Sequence, residues 1–139
     1  MRVSDIIRIK GNEVICLPPS ATVQELLDLL AEKNIGAVII QDGEAVAGIV
    51  SERDVVRGAR TAYDPAAPVL DLMTRKVVTC EPADDVEELA QAMTARRIRH
   101  VPVIDEGELV AIVSIGDVVK ARLSALQAER DQLRDYVTG

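Results

Sequence analysis

The stretch Gly48, Ile49, Val50, Ser51, Glu52, Arg53, Asp54, Val55, Val56 returns as Ala111, Ile112, Val113, Ser114, Ile115, Gly116, Asp117, Val118, Val119, a constant offset of 63 positions. At that offset the chain matches itself without a gap from about Val14 to Arg57. Pro19 falls on Pro82, Val23 on Val86, Glu25 on Glu88, Leu26 on Leu89, Ile35 on Ile98, Val38 on Val101 and Asp42 on Asp105. Before Val14 the offset becomes 66, pairing Asp5 with Asp71, and the first copy carries about three extra residues around Arg8 to Asn12. That insertion is expected in a turn at Gly11 and Asn12, where added length costs little. A self-match present only twice, at a period above those of solenoids, predicts two fused subdomains about a pseudo-twofold axis, with two related sites.

Each copy reads as strand, helix, strand, strand, helix. Val14 to Leu17 and Val77 to Cys80 are β-branched runs that stop near a proline. Thr22 and Asp85 are placed to cap helices with apolar residues at helical spacing, Val23, Leu26, Leu27 and Leu30 in one and Val86, Leu89, Ala90 and Met93 in the other. Ala37 to Ile40 and Val46 to Val50 flank a turn at Asp42 and Gly43, and His100 to Ile104 and Leu109 to Val113 flank one at Glu106 and Gly107, which predicts two hairpins. Asp54 and Asp117 are expected to open the final helix of each copy. From Asp117 to about Val137 no Gly or Pro interrupts, and Val119, Leu123, Leu126, Leu133 and Val137 form a heptad-like stripe with Arg130 in the remaining slot. This last helix outruns its domain, to lie across its own module or to join a partner subunit.

Hydrophobic residues make up 48% of the 139, yet there is no Phe or Trp, so the core is aliphatic and a bound base has no aromatic ring to stack on. A net charge of −7 disfavours nucleic acid as a partner. No run approaches a membrane span and no leader pattern opens the chain, which predicts a cytoplasmic protein with no membrane contact. Cys16 and Cys80 stand in Val-rich strands outside any paired-cysteine motif and read as buried reduced thiols. A catalytic reading finds one histidine, no metal-ligand spacing and no phosphate-binding glycine loop, so no enzyme is expected.

The order of elements and the repeated Gly/Ala, Ile, Val, Ser, x, x, Asp motif, preceded by IGAVII in one copy and IRHVPVID in the other, resemble the cystathionine-β-synthase (CBS) domain family. Two such domains in tandem form a Bateman module, and the resemblance covers about residues 3 to 124. It implies an α+β fold of two pseudo-twofold related subdomains packed through their sheets. The implied division is 3–60 for the first domain, 61–68 for the linker, 69–124 for the second domain and 125–139 for a C-terminal helical extension. It also implies a regulatory module that binds adenine nucleotides, AMP, ADP, ATP or NAD(H), in two clefts between the paired domains, with no catalytic cofactor or metal. Dimerisation into a disc and a regulated partner protein are further family expectations; the competing one is a ligand-free scaffold acting through dimerisation and the C-terminal helix.

By resemblance, Asp54 and Asp117 hold ribose hydroxyls, Ser51 and Ser114 reach phosphate or sugar oxygens, and Ile49 and Ile112 lie along a base. The chemistry agrees, since a Ser and an Asp three residues apart at a strand-to-helix junction converge with backbone donors of the helix N-terminus. The first cleft is expected to contain Ile49, Ser51, Arg53, Asp54, Val78 and Ile98. The second is expected to contain Ile15, Ile35, Gly36, Arg99, His100, Ile112, Ser114, Gly116 and Asp117, and to be the better site because Arg99 and His100 supply positive charge. Ala111, where the first copy has Gly48, is expected to narrow the approach of a base.

Overall fold

A computed structural model describes residues 1–138. The chain runs α1 (Val3–Lys10), β1 (Cys16–Leu17), α2 (Val23–Lys33), β2 (Ala37–Asp42), β3 (Ala45–Ser51), α3 (Glu52–Ala59), a 3₁₀ turn (Val69–Asp71), α4 (Val86–Arg96), β4 (His100–Asp105), β5 (Glu108–Ser114) and α5 (Ile115–Thr138). In the first copy β1 pairs parallel with β2, which pairs antiparallel with β3; in the second, β4 and β5 form the matching hairpin. Both hairpins close over two residues but with different turns. Gly43 alone has positive φ in the first, as a type II′ turn needs, whereas Glu106 and Gly107 both do in the second, as in type I′.

The expected strand at Val77 to Cys80 contracts to one parallel pairing, Cys80 with Val103. A missing donor explains it. In the first copy the Ile39 N–H donates to the Ile15 carbonyl at 3.4 Å. Pro102 stands at the matching place and has no N–H to offer Val78. The insertion expected in a turn instead lengthens a helix. Val3, Ile6 and Ile7 form an apolar face on α1, the Arg2 N–H donates to Asp5 Oδ2 at 2.9 Å, and Gly11 ends the helix at φ 92°.

Two aliphatic cores result, and each takes in the segment that precedes the other copy. Val3 and Ile6 of α1 lie in the second core with Val86, Met93, Val101 and Val113, while Val69 lies in the first with Leu26, Leu30, Val38 and Val50. Backbone bonds fix both crossings, from Val3 N to Asp84 O at 2.9 Å and from Val69 N to Ala21 O at 2.8 Å. Val38 and Ile40 face the first core, yet Ile39 between them is equally sealed from water on the opposite side, where the sheets of the two copies meet. Cys80 is buried, and burial together with the charge of Asp84 pushes its thiol up to about 12, the behaviour of an unreactive packed residue.

Helix α5 does not lie across its own module. Val118 and Ala121 are buried, but every described residue from Arg122 onward is exposed, Leu126 at 61% and Leu133 at 62%.

Candidate functional site

Helices α3 and α5 open two residues earlier than expected, with Ser51 and Ser114 as N-caps and Asp54 and Asp117 in the first turn. The Ser51 N–H donates to Asp54 Oδ2 at 2.8 Å and the Asp54 N–H returns to Ser51 Oγ at 3.3 Å. In the second copy the same bonds measure 2.9 and 3.1 Å. These reciprocal pairs are capping boxes, so the motif's first task is to start a helix at the end of a strand. Only Oδ2 of each carboxylate takes part, which leaves Oδ1 of both without a hydrogen bond among the described residues. Capping thereby presents a rigid, half-buried carboxylate at a helix start whose first N–H is itself engaged, Glu52 on the Gly36 carbonyl at 3.1 Å and Ile115 on the Arg99 carbonyl at 2.8 Å.

Each carboxylate lines a cleft to which both copies contribute. The first cleft, about 590 Å³, brings together Ile49, Ser51, Arg53 and Asp54 from copy one and Val78 and Ile98 from copy two. The second, about 480 Å³, joins Ile112, Ser114 and Asp117 to Ile15, Ile35 and Gly36. His100 and Gly36 border both clefts, and the His100 ring lies 3.5 Å from where a Cβ on Gly36 would stand. Burial pushes the His100 imidazole below its ordinary value, with the charges of Lys10 and Arg99 acting in the same direction and Asp117 opposing them. A neutral imidazole thus sits at the junction.

Three expectations about the clefts need correction. Arg99 lines the first cleft, not the second. Its carbonyl accepts the Ile115 N–H at 2.8 Å at the start of α5. Gly116 lines neither cleft. Ala111 is fully buried within the second core, so its methyl group does not narrow the approach to Ile112.

The charge asymmetry is therefore the reverse of that read from sequence. Arg53, Arg57, Lys76, Arg96, Arg97 and Arg99 all border the first cleft, facing only Glu52 and Asp54. In a chain of net charge −7 such a concentration makes a strong local anion attractor. Arg97 holds φ at 56°, a left-handed conformation unfavourable for a long side chain, where the first copy uses Asn34 at φ 52°. The second cleft has Lys10 and Lys33 against Glu13 and Asp117.

Lys10 went unread in the sequence. Its ammonium donates to Asp117 Oδ2 and to the Ile112 carbonyl, each at 2.7 Å. Burial alone would raise the Asp117 carboxyl; the hydrogen bonds from Lys10 and Ser114 and the lysine charge outweigh that and hold it below the ordinary carboxylate value. The signal was available at the offset of 66, which sets Lys10 against Lys76 as it sets Asp5 against Asp71.

A CBS domain model matches residues 3–60 and again 69–124. CBS domain-containing protein CBSX3, mitochondrial, from Arabidopsis thaliana is 34% identical over 99% of this chain and 72% of its own length. Among solved structures, a putative signal-transduction protein with CBS domains from Burkholderia ambifaria superposes with a TM-score of 0.87 at 36% identity, covering 89% of this chain and 95% of that one. A CBS domain protein of Pyrobaculum aerophilum complexed with AMP is 29% identical with a TM-score of 0.76, over 84% of this chain and 89% of that one. The duplicated sequence thus coincides with two matched domains, and the chain belongs to the CBS domain family.

Proposed function

We propose that this chain is a non-catalytic regulatory module that binds an adenine nucleotide between its two CBS domains and passes the energy or redox state so sensed to a partner protein. The observation that carries this reading is the first cleft. There a carboxylate and a helix N-terminus from one copy face aliphatic walls and a ring of arginines from the two, a set suited to a ribose, a base and phosphates at once. The AMP held by the Pyrobaculum aerophilum relative supports the same ligand class. Among AMP, ADP, ATP and NAD(H), the cation count favours a ligand with phosphate charge over a bare nucleoside. Titration calorimetry with these four and adenosine is expected to show binding that strengthens with phosphate and weakens with salt. A ligand at about 100 times its Kd raises stability by about 2.7 kcal/mol. If none of the four moves the melting curve, the sensor reading fails.

A second observation favours a homodimer. Val119, Leu123, Leu126, Arg130, Leu133 and Val137 alternate at spacings of four and three along the exposed part of α5, the seam of a two-stranded coil. In a parallel pairing Glu129 of each helix faces the partner's Arg134. Val56 and Val119, equivalent in the two repeats, are both exposed. The expected result is a dimer by light scattering at micromolar concentration, shifted to monomer by Leu126→Lys with Leu133→Lys. A monomeric wild type rules this interface out.

A further inference from the structure

We propose that Lys10 makes the second cleft the weaker nucleotide site, because its ammonium occupies Oδ2 of Asp117 and the Ile112 carbonyl and balances the carboxylate charge that a ligand's hydroxyl or amino donors would use. This rests on the nucleotide reading above and assigns unequal occupancy to the two clefts. Lysine has donors only, and two of its three are satisfied within the protein at 2.7 Å. The side chains are 30% and 20% exposed, so the contact is partly shielded from water and salt. Its anchor is firm. Val3 and Ile6 fix α1 in the second core, and the Gly11 N–H closes the helix on the Ile7 carbonyl at 2.8 Å, which sets the backbone at Lys10.

The first cleft lacks this contact although the sequence supplies the same residue. Lys76 borders that cleft at the repeat position of Lys10, yet makes no ion pair with Asp54 among the described residues. The segment leading to Lys76 is a short 3₁₀ turn and an irregular stretch instead of a full helix. Three inserted residues thus separate a carboxylate paired with an ammonium from one that has no such partner among the described residues. A ligand donor that needs Asp117 Oδ2 or the Ile112 carbonyl must displace Lys10, and one that takes the free Oδ1 meets a carboxylate whose charge the ammonium already balances, a cost absent from the first cleft.

Calorimetric titration of AMP tests this. Wild type is expected to show one tight and one weak site per chain, and Lys10→Met, which keeps the stem of the side chain, to tighten the weak site by about tenfold, the loss of a charge-assisted competitor. Asp54→Ala with Lys10→Met should likewise have a second-cleft site about tenfold tighter than that of Asp54→Ala alone, since Asp54→Ala alters only the first cleft. Two equal sites in wild type, or affinities unmoved by Lys10→Met, overturn the proposal while leaving nucleotide binding intact. No binding of any adenine nucleotide by wild type or Lys10→Met overturns both. A ligand-free measurement stands apart from these. Following His100 by NMR, removal of the Lys10 charge should raise its pKa, and an unmoved titration shows that the ammonium does not sit in the cleft.

Discussion

Asp54→Ala is expected to weaken AMP binding by about 10- to 100-fold, since a hydrogen bond to a charged group contributes about 1.5–3 kcal/mol. The side chain lies in the more cationic cleft and keeps Oδ1 free of hydrogen bonds within the described residues. It also completes the capping box of α3 by accepting the Ser51 N–H, so the variant should lose about 1 kcal/mol of stability as well. Asp54→Asn separates the two effects. Asparagine retains an oxygen for the Ser51 N–H but no charge for a ribose diol, and the prediction is roughly tenfold weaker binding with a nearly unchanged melting temperature. Full affinity in both variants would leave Asp54 a helix cap and nothing more.

Gly48→Val is expected to destabilise the protein by roughly 3–5 kcal/mol, a large share of the whole for a chain of this size. A Cβ at Gly48 would stand 2.7 Å from the Thr74 carbonyl oxygen and 2.8 Å from the sulfur of Met73. The methionine can turn aside, but the Thr74 backbone cannot. It is held in both directions, from Ile49 N to Thr74 O at 3.1 Å and from Thr74 N to Ile49 O at 2.8 Å. Thr74 also borders the first cleft and leads into Lys76, Val77 and Val78, so displacing it should weaken AMP binding together with folding. The repeat provides a control. Ala111 fills the matching place with a methyl group buried in the second core, and Ala111→Gly is expected to cost only about 1–2 kcal/mol. Chemical denaturation of the two variants measures the difference, and a Gly48→Val protein as stable as wild type refutes the close approach.

Much of the fold was legible because it rests on local patterns. Two hairpins, capped amphipathic helices and an uninterrupted last helix follow from periodicity and turn residues. The duplication paired Ser51 and Asp54 with Ser114 and Asp117, and the apolar walls assigned to each cleft line it. The edge strand at Val77 to Cys80 was misread because strand propensity is local, whereas a ladder needs a donor on its neighbour, and Pro102 withholds one.

The sequence alone thus determined that there are two copies, two clefts and a carboxylate in each. Which side chains enter which cleft was decided by the tertiary structure, because each copy's leading segment crosses to the other's core and a linear repeat does not record that exchange. Arg99 faces the first cleft across the sheet interface. Lys10 meets Asp117, 107 positions along the chain, only because α1 is buried against the second domain. Charge placement depends on such long-range contacts, which is why the copies look alike in sequence and their clefts differ in chemistry.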